Sequence, residues 1–506
     1  LYTSYFFTVK YLFISNNITF DYTKIAPVVI GQYHEKDELY NPFEHRDKKN
    51  TNSDMGALAH LLKSSLGTGI LAMPNAIKNG GVLFGGIGTM IIGFICAHCV
   101  HILVRSSHVL CRRTRTPKMS YAETAEAAFL CGPKTIRPFA NFSRMFVNAA
   151  LCATYVGGAC VYVVFISTSI KQLADHYTDT DMSVRTYILT LIPALLLLGQ
   201  VRNLKYMVPF SMVANVCMIV GFAITLYYIF NGINPSENVK LIAKADQIPT
   251  FFATVIFAIE GIGVVSFPSK FLLLPTIVLY LDIYFKCDSR IIRTILLMDQ
   301  YLILQYYSLQ VMPVENSMRK PDHFLGCPGV LNITMTIVVC LYTVMGVFGY
   351  LKYGENVFAT ITLNINTQEV LGQIVKLLIA IAVLFTYGLQ YFVPLDIIWN
   401  TIKDKFSHKH QAVGETIMRI VMVMLTVVIA LLVPDLEPFI SLVGAVFFSV
   451  LGISIPAIVE TISCWEGHLG CMNWRLWKNS ILVLFSMFAL VSGSWVSIIH
   501  IIALYS

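Results

Sequence analysis

The residues best suited to chemistry in this 506-residue chain lie inside apolar runs, where polar groups are costly. One run reads His60-Leu-Leu-Lys63-Ser-Ser-Leu-Gly67-Thr68-Gly69-Ile-Leu-Ala-Met-Pro74. Two glycines around a threonine, with a proline following, are poor material for continuous helix. At membrane depth such a break is tolerated only where it lines a cavity or is buried in protein. Freed amides at the start of the second half-helix could hold a carboxylate, and freed carbonyls an ammonium group. A free amino acid presents both. The competing reading is a small-residue seam for helix packing. A second run, Phe257-Ala-Ile-Glu260-Gly261-Ile262-Gly263-Val264, repeats the pattern beside a carboxylate. Glu260 reads as part of an ion or proton path, or else as a structural partner of Lys63. Tyr155 and Tyr162, in Thr154-Tyr-Val-Gly-Gly-Ala-Cys-Val-Tyr162, either line the same pocket or simply pack, and Tyr387 poses the same choice.

Composition says what must position these residues. Hydrophobic residues make up 56% of the chain and charged residues 13%, about half the share of a soluble protein. The mean hydropathy is +0.67. The expected solvent is therefore a lipid bilayer. The 12 cysteines are scattered, and Cys96 and Cys99 fall within an apolar run, so neither a disulfide framework nor a zinc site is indicated. His98, His101 and His108 share a helix face, but no carboxylate joins them in that span, which reads as an interfacial cluster and not a metal site. The net charge of +7 is modest for a nucleic-acid binder, and its basic residues flank apolar segments. No nucleophile motif, metal pattern or phosphate loop supports an enzyme, and no charged ring supports a channel.

Stretches of about 20 apolar residues, enough to cross roughly 30 Å of hydrocarbon, number about eleven. They lie near 55–79, 82–104, 145–170, 186–200, 207–230, 250–265, 330–351, 369–400, 416–433, 437–462 and 480–503. The loop after the second is rich in Arg105, Arg112, Arg113 and Arg115, which places it in the cytoplasm. Alternation then puts Arg202, Lys205, Lys403, Lys405, Arg475 and Lys478 inside, and Asp175, Asp179, Asp181, Glu355, Asp435 and Glu437 outside. The fold class is an all-α integral membrane protein with broken helices 1 and 6, five helices apart, the mark of an inverted five-helix repeat.

Together with Val311-Met-Pro-Val-Glu315-Asn316-Ser-Met318 and Phe385-Thr-Tyr387-Gly-Leu-Gln390-Tyr-Phe-Val-Pro394, the two broken runs resemble the proton-coupled amino acid transporters, in the amino acid/auxin permease branch. That resemblance spans the chain from about residue 53. It implies an eleven-helix carrier moving small neutral amino acids with protons, at a plasma or a lysosomal/vacuolar membrane, with no cofactor beyond the coupling proton. It also implies a proton-coupling role for His60, with Glu260 beside it. Substrate contacts are expected from Gly67, Thr68, Gly69, Tyr155, Glu260, Gly261, Ile262 and Gly263. The alternatives are an amino-acid sensor with little flux and a channel. The loops 171–186 and 352–367 contain no cysteine, so the external disulfide of that family is not expected.

Two regions stand apart. Residues 1–53 read as a cytoplasmic tail, of which 1–33 are either disordered or an artefact of a gene model. Residues 265–310 interrupt the sixth helix with a charged, aromatic insert. Val265-Ser266 can be encoded by a splice-donor sequence and Gln310 by an acceptor, so this insert reads as a retained intron, the alternative being a native loop. The segment 54–506 is the transport domain.

Overall fold

In the computed structural model, residues 40–46, 53–65, 67–178, 182–202, 208–231, 238–260, 311–326, 329–407, 410–465 and 469–505 are described. All elements below belong to one unit, Asn41–Ser506. The described residues are helical or irregular, with no sheet. Among the described residues, eight helices are long and apolar enough to cross a membrane, and two shorter apolar helices, Val184–Gly199 and Ile248–Ile259, accompany them.

The first half runs α1 (Asp54–Ser65), α2 (Thr68–Gly80), α3 (Val82–Thr114), a connecting α4 (Tyr121–Cys131), α5 (Ala140–Thr178), α6 (Val184–Gly199) and α7 (Val208–Phe230). The second half runs α8 (Ile248–Glu260), α9 (Val311–Asn316), α10 (Val330–Tyr353), α11 (Val370–Ile402), α12 (Gln411–Leu432) and α13 (Leu436–Val443). A π-helical stretch, Gly444–Ser454, joins α13 to α14 (Ile455–Ser463), and α15 (Trp474–Ala503) closes the chain. The first helix is thus broken between α1 and α2. Residues 265–310, and Gly261, Ile262 and Gly263, lie outside the described residues.

The bundle is solvated by lipid. On α15, Trp477, Ile481, Leu484, Phe488, Val491 and Trp495 are all exposed at the three- and four-residue spacing of one helix face. A continuous apolar face of that kind needs hydrocarbon against it. The inner faces are close-packed through small residues. A Cβ placed on Gly444, at the start of the π-helical stretch, would stand 2.1 Å from the Ala253 carbonyl oxygen of α8. The two backbones therefore touch. The connecting helix α4 starts from a capping box in which the Ser120 hydroxyl accepts from the Glu123 amide and the Glu123 carboxylate accepts from the Ser120 amide.

Candidate functional site

The break in the first helix begins with Gly67, whose extended backbone (φ −103°, ψ −158°) starts α2 without a capping side chain. The first-turn amides of α2 are left for another acceptor, and the helix dipole adds partial positive charge there. Thr68, buried at this turn, lies within side-chain hydrogen-bonding reach of the Tyr162 hydroxyl on α5. One residue on, Gly69 meets α8. A Cβ on Gly69 would lie 2.9 Å from both the Cα and the carbonyl oxygen of Ala258, two residues before Glu260. The amide-bearing end of α2 and the carbonyl-bearing end of α8 are therefore side by side.

Three further elements surround this meeting point. Helix α5 contributes Tyr155, buried, and Tyr162, partly buried, seven residues apart, so they share a face. Between them Gly158 lets α11 approach, because a Cβ there would stand 2.9 Å from Gln390 Nε2. The other end of that amide, Gln390 Oε1, is buried with no hydrogen-bond partner among the described residues. The same holds for Thr254 Oγ1 on α8 and Asn75 Oδ1 on α2. Buried acceptors and hydroxyls left open in this way are rare, and they fit a site that takes up a polar guest. Phe448 of the π-helical stretch packs edge-on to Phe257 of α8, with ring centroids 5.6 Å apart. Widened helical turns of this type are concentrated at functional sites.

The positions expected from the sequence divide clearly. Thr68 and Gly69 sit at the junction, Gly67 starts it, and Tyr155 lies on the α5 face that carries Tyr162. His60 lies on α1 and Glu260 ends α8, while their side chains, like that of Lys63, are outside the described residues. Tyr387 has a structural role. Its hydroxyl shares a 3.0 Å hydrogen bond with Thr426 and its ring stacks on Tyr391. The histidines of α3 do not form a common site: His98 Nε2 is 3.0 Å from Lys478 Nζ, whereas His108 reaches Glu315. No group of residues able to hold a metal occurs among the described residues. Gln390 on α11 and Thr254 on α8 are buried polar groups that the sequence did not single out. The glycines flanking Gln390 and Tyr162 in sequence were the available signal.

A separate cavity of about 550 Å³ opens at the other end of α2, about 15 Å from the break by helix rise over ten residues. Lys78, Arg185, Asp435 and Glu437 line it, together with Thr168 and Phe358. Burial pushes the Asp435 carboxyl above its ordinary range, reinforced by the neighbouring Glu437 charge and opposed by the Glu437 and Leu436 amides and by His500.

Comparison with known proteins identifies the family. The profile of the family described as transmembrane amino acid transporter protein matches residues 50–267 and 306–499. The proton-coupled amino acid transporter-like protein pathetic of Drosophila melanogaster is 39% identical over 92% of this chain and 89% of its own length. The probable amino acid transporter skat-1 of Caenorhabditis elegans is 24% identical over 89% and 90%. Among solved structures, the inward-facing conformation of Mhp1 aligns with a TM-score of 0.45 and 11% identity, over 90% of this chain and 91% of that one. The broken first helix and its meeting with α8 are thus features of a multi-pass protein that belongs to the transmembrane amino acid transporter family.

Proposed function

We propose that the chain is a secondary active transporter of small neutral amino acids, driven by protons and working by alternating access around the two broken helices. The observation that carries this reading is the contact of Gly69 with Ala258, which sets the free amides of α2 beside the end of α8. The substrate carboxylate is held by the amides of Gly67, Thr68 and Gly69, and its ammonium group by Glu260 and the carbonyls of the second break at Gly261, Ile262 and Gly263. Tyr155 and Tyr162 wall the pocket from α5. The 550 Å³ cavity is the outer approach to it.

Coupling rests on His60, on α1, seven residues before Gly67 in sequence. Imidazole is the side chain suited to load and release a proton near neutrality. The name of the Drosophila relative supports proton coupling as the reading for this chain. The insert is part of the same proposal: the family match stops at 267 and resumes at 306, which supports a continuous sixth helix once 265–310 are removed.

The test is uptake into proteoliposomes over the common amino acids, with and without an imposed pH gradient. Accumulation of glycine-, alanine- or proline-sized substrates only under the gradient is the expected result. In the same assay His60→Ala abolishes gradient-driven accumulation in a folded protein, and Glu260→Gln impairs binding as well. Uptake that ignores the gradient removes the coupling claim, and saturable binding without flux makes the protein a sensor.

A further inference from the structure

Helices α3 and α15 flank a groove on the lipid-facing side of the bundle, and both pack on α8 and α14. Near its outer end the floor is Phe252 of α8, whose ring centroid lies 6.3 Å from that of Phe84 on α3 and 6.0 Å from that of Phe488 on α15. At its inner end the two walls meet, since Lys478 Nζ of α15 donates to His98 Nε2 of α3 at 3.0 Å. Between these points the walls are apolar and open. Ile87, Ile91 and Phe94 follow one face of α3, Ile481 and Phe488 follow one face of α15, and all five are exposed. From Phe84 to His98 the helix rises about 21 Å, more than the roughly 15 Å of hydrocarbon in one leaflet, so an extended acyl chain fits along it.

The mouth of the groove is polar and cationic. Lys478 Nζ also donates to Glu460 Oε2 of α14 at 2.7 Å, which balances its charge and uses a second of its three donors. His98 stacks on the exposed Phe94, with ring centroids 6.5 Å apart, and both His98 and His101 are partly exposed. His101 lies within electrostatic range of Arg105, Lys478 and Glu460. Arg105, one turn beyond it, is exposed and makes no hydrogen bond or ion pair among the described residues, so its charge is uncompensated. On the α15 side the exposed Trp474 ring lies 5.5 Å from Lys478 Nζ and 5.7 Å from the Arg475 guanidinium carbon. Tryptophan beside cations is the pattern of a headgroup-level anchor. This end of α3 also bears Arg112 and Arg113, the face read as cytoplasmic. Hydrocarbon alone satisfies the groove but not its mouth, where the imidazoles and Arg105 call for a polar, negatively charged partner.

We infer that the groove between α3 and α15 binds one anionic phospholipid of the cytoplasmic leaflet, its headgroup held by Arg105, His101 and the remaining Lys478 donor and its acyl chain laid along Phe94, Ile91 and Ile87 toward Phe252. That leaflet is the one rich in anionic lipid. A zwitterionic lipid fills the same groove but brings no net charge to Arg105, and this difference is the basis of selection.

Photo-crosslinking of the full chain in phosphatidylcholine nanodiscs, with a few per cent of phosphatidylserine carrying a diazirine on its acyl chain, tests the site without requiring transport. Labels should concentrate in residues 84–98 and 481–488, at about fivefold or more the yield given by phosphatidylcholine with the same diazirine, the factor expected from one cation at the membrane surface. Arg105→Gln should bring the two lipids to within about twofold of each other. Lys405→Gln, at an exposed lysine beyond α11, should keep the wild-type preference. Ile91→Trp, which narrows the groove, should lower labelling there by both lipids. Equal labelling by the two lipids in the wild-type protein overturns the proposal, and so do phosphatidylserine labels spread evenly over the lipid-facing helices. Equal losses in Arg105→Gln and Lys405→Gln would reduce the effect to the overall charge of the cytoplasmic face and overturn it as well. Should Arg105→Gln not fold, the wild-type comparison of the two lipids decides alone.

Discussion

Gly69 and Ala258 touch backbone to backbone, so that any side chain at residue 69 would intrude to 2.9 Å from the neighbouring main chain. A rigid backbone contact cannot yield as a flexible side chain does. Gly69→Ala is therefore expected to push α2 and α8 apart at the break and cost about 1–3 kcal/mol of stability, as overpacking does elsewhere. Uptake should fall more than the melting temperature suggests, because the displaced groups are the ones proposed to hold substrate. Wild-type uptake together with a wild-type melting curve would show that the two half-helices are not fixed against each other.

The Thr68 and Tyr162 side chains make the second test. Tyr162→Phe keeps the ring and removes the hydroxyl, leaving the Thr68 side chain without its partner on α5. Losing one such hydrogen bond costs about 0.5–1.5 kcal/mol, so the half-saturation concentration for uptake should rise roughly two- to tenfold. Equal kinetics in wild type and Tyr162→Phe would reduce the Tyr162 hydroxyl to packing.

How far the sequence carried can be judged from α5. Hydropathy placed the third span at 145–170, whereas the helix runs Ala140–Thr178. Its final turns carry Lys171 and Asp175, paired at 2.7 Å, which stabilise helix outside the bilayer and are invisible to an apolar count. The break at Gly67 was legible because glycines and proline act locally. Gln390 and Glu315 sit within longer motifs, and their contacts are with partners far along the chain. Gln390 faces Gly158, Glu315 meets Arg46 and His108, and His98 meets Lys478. Periodicity gives the face of each helix, but it does not say which other helix packs there.

Asp435 gives a pH prediction at the outer cavity. Burial raises its carboxyl above the unfolded value, so the folded state favours the protonated form. That contribution is complete below the ordinary aspartate pKa of about 3.9 and is lost as pH rises through the folded value. Asp435 also caps α13, its Oδ1 accepting from the Glu437 amide at 3.3 Å, a role asparagine can keep. Asp435→Asn should thus match or exceed the wild-type melting temperature at pH 7 and flatten its rise on acidification toward pH 4. A variant clearly less stable than wild type at pH 7 would mean that the charge is needed and that burial is not the ruling effect.

The insert can be tested at two levels. Removing residues 265–310 joins Val264 to Val311, so that Gly261-Ile-Gly-Val runs straight into Val-Met-Pro-Val-Glu315, and the family match already omits 268–305. A charged insert inside a helix break would have to leave the membrane and return, at a cost that a functional carrier has no evident reason to bear. The shortened protein is therefore expected to reach the membrane and transport as well as or better than the full chain, with the Arg46–Glu315 pair intact because α9 follows α8 without interruption. The transcript supplies the independent check: sequencing across the junction should find a dominant message that lacks the segment. A dominant message that contains it, combined with loss of uptake in the shortened protein, would make 265–310 a native part of the sixth helix and shift attention to what its charged residues do beside Glu260.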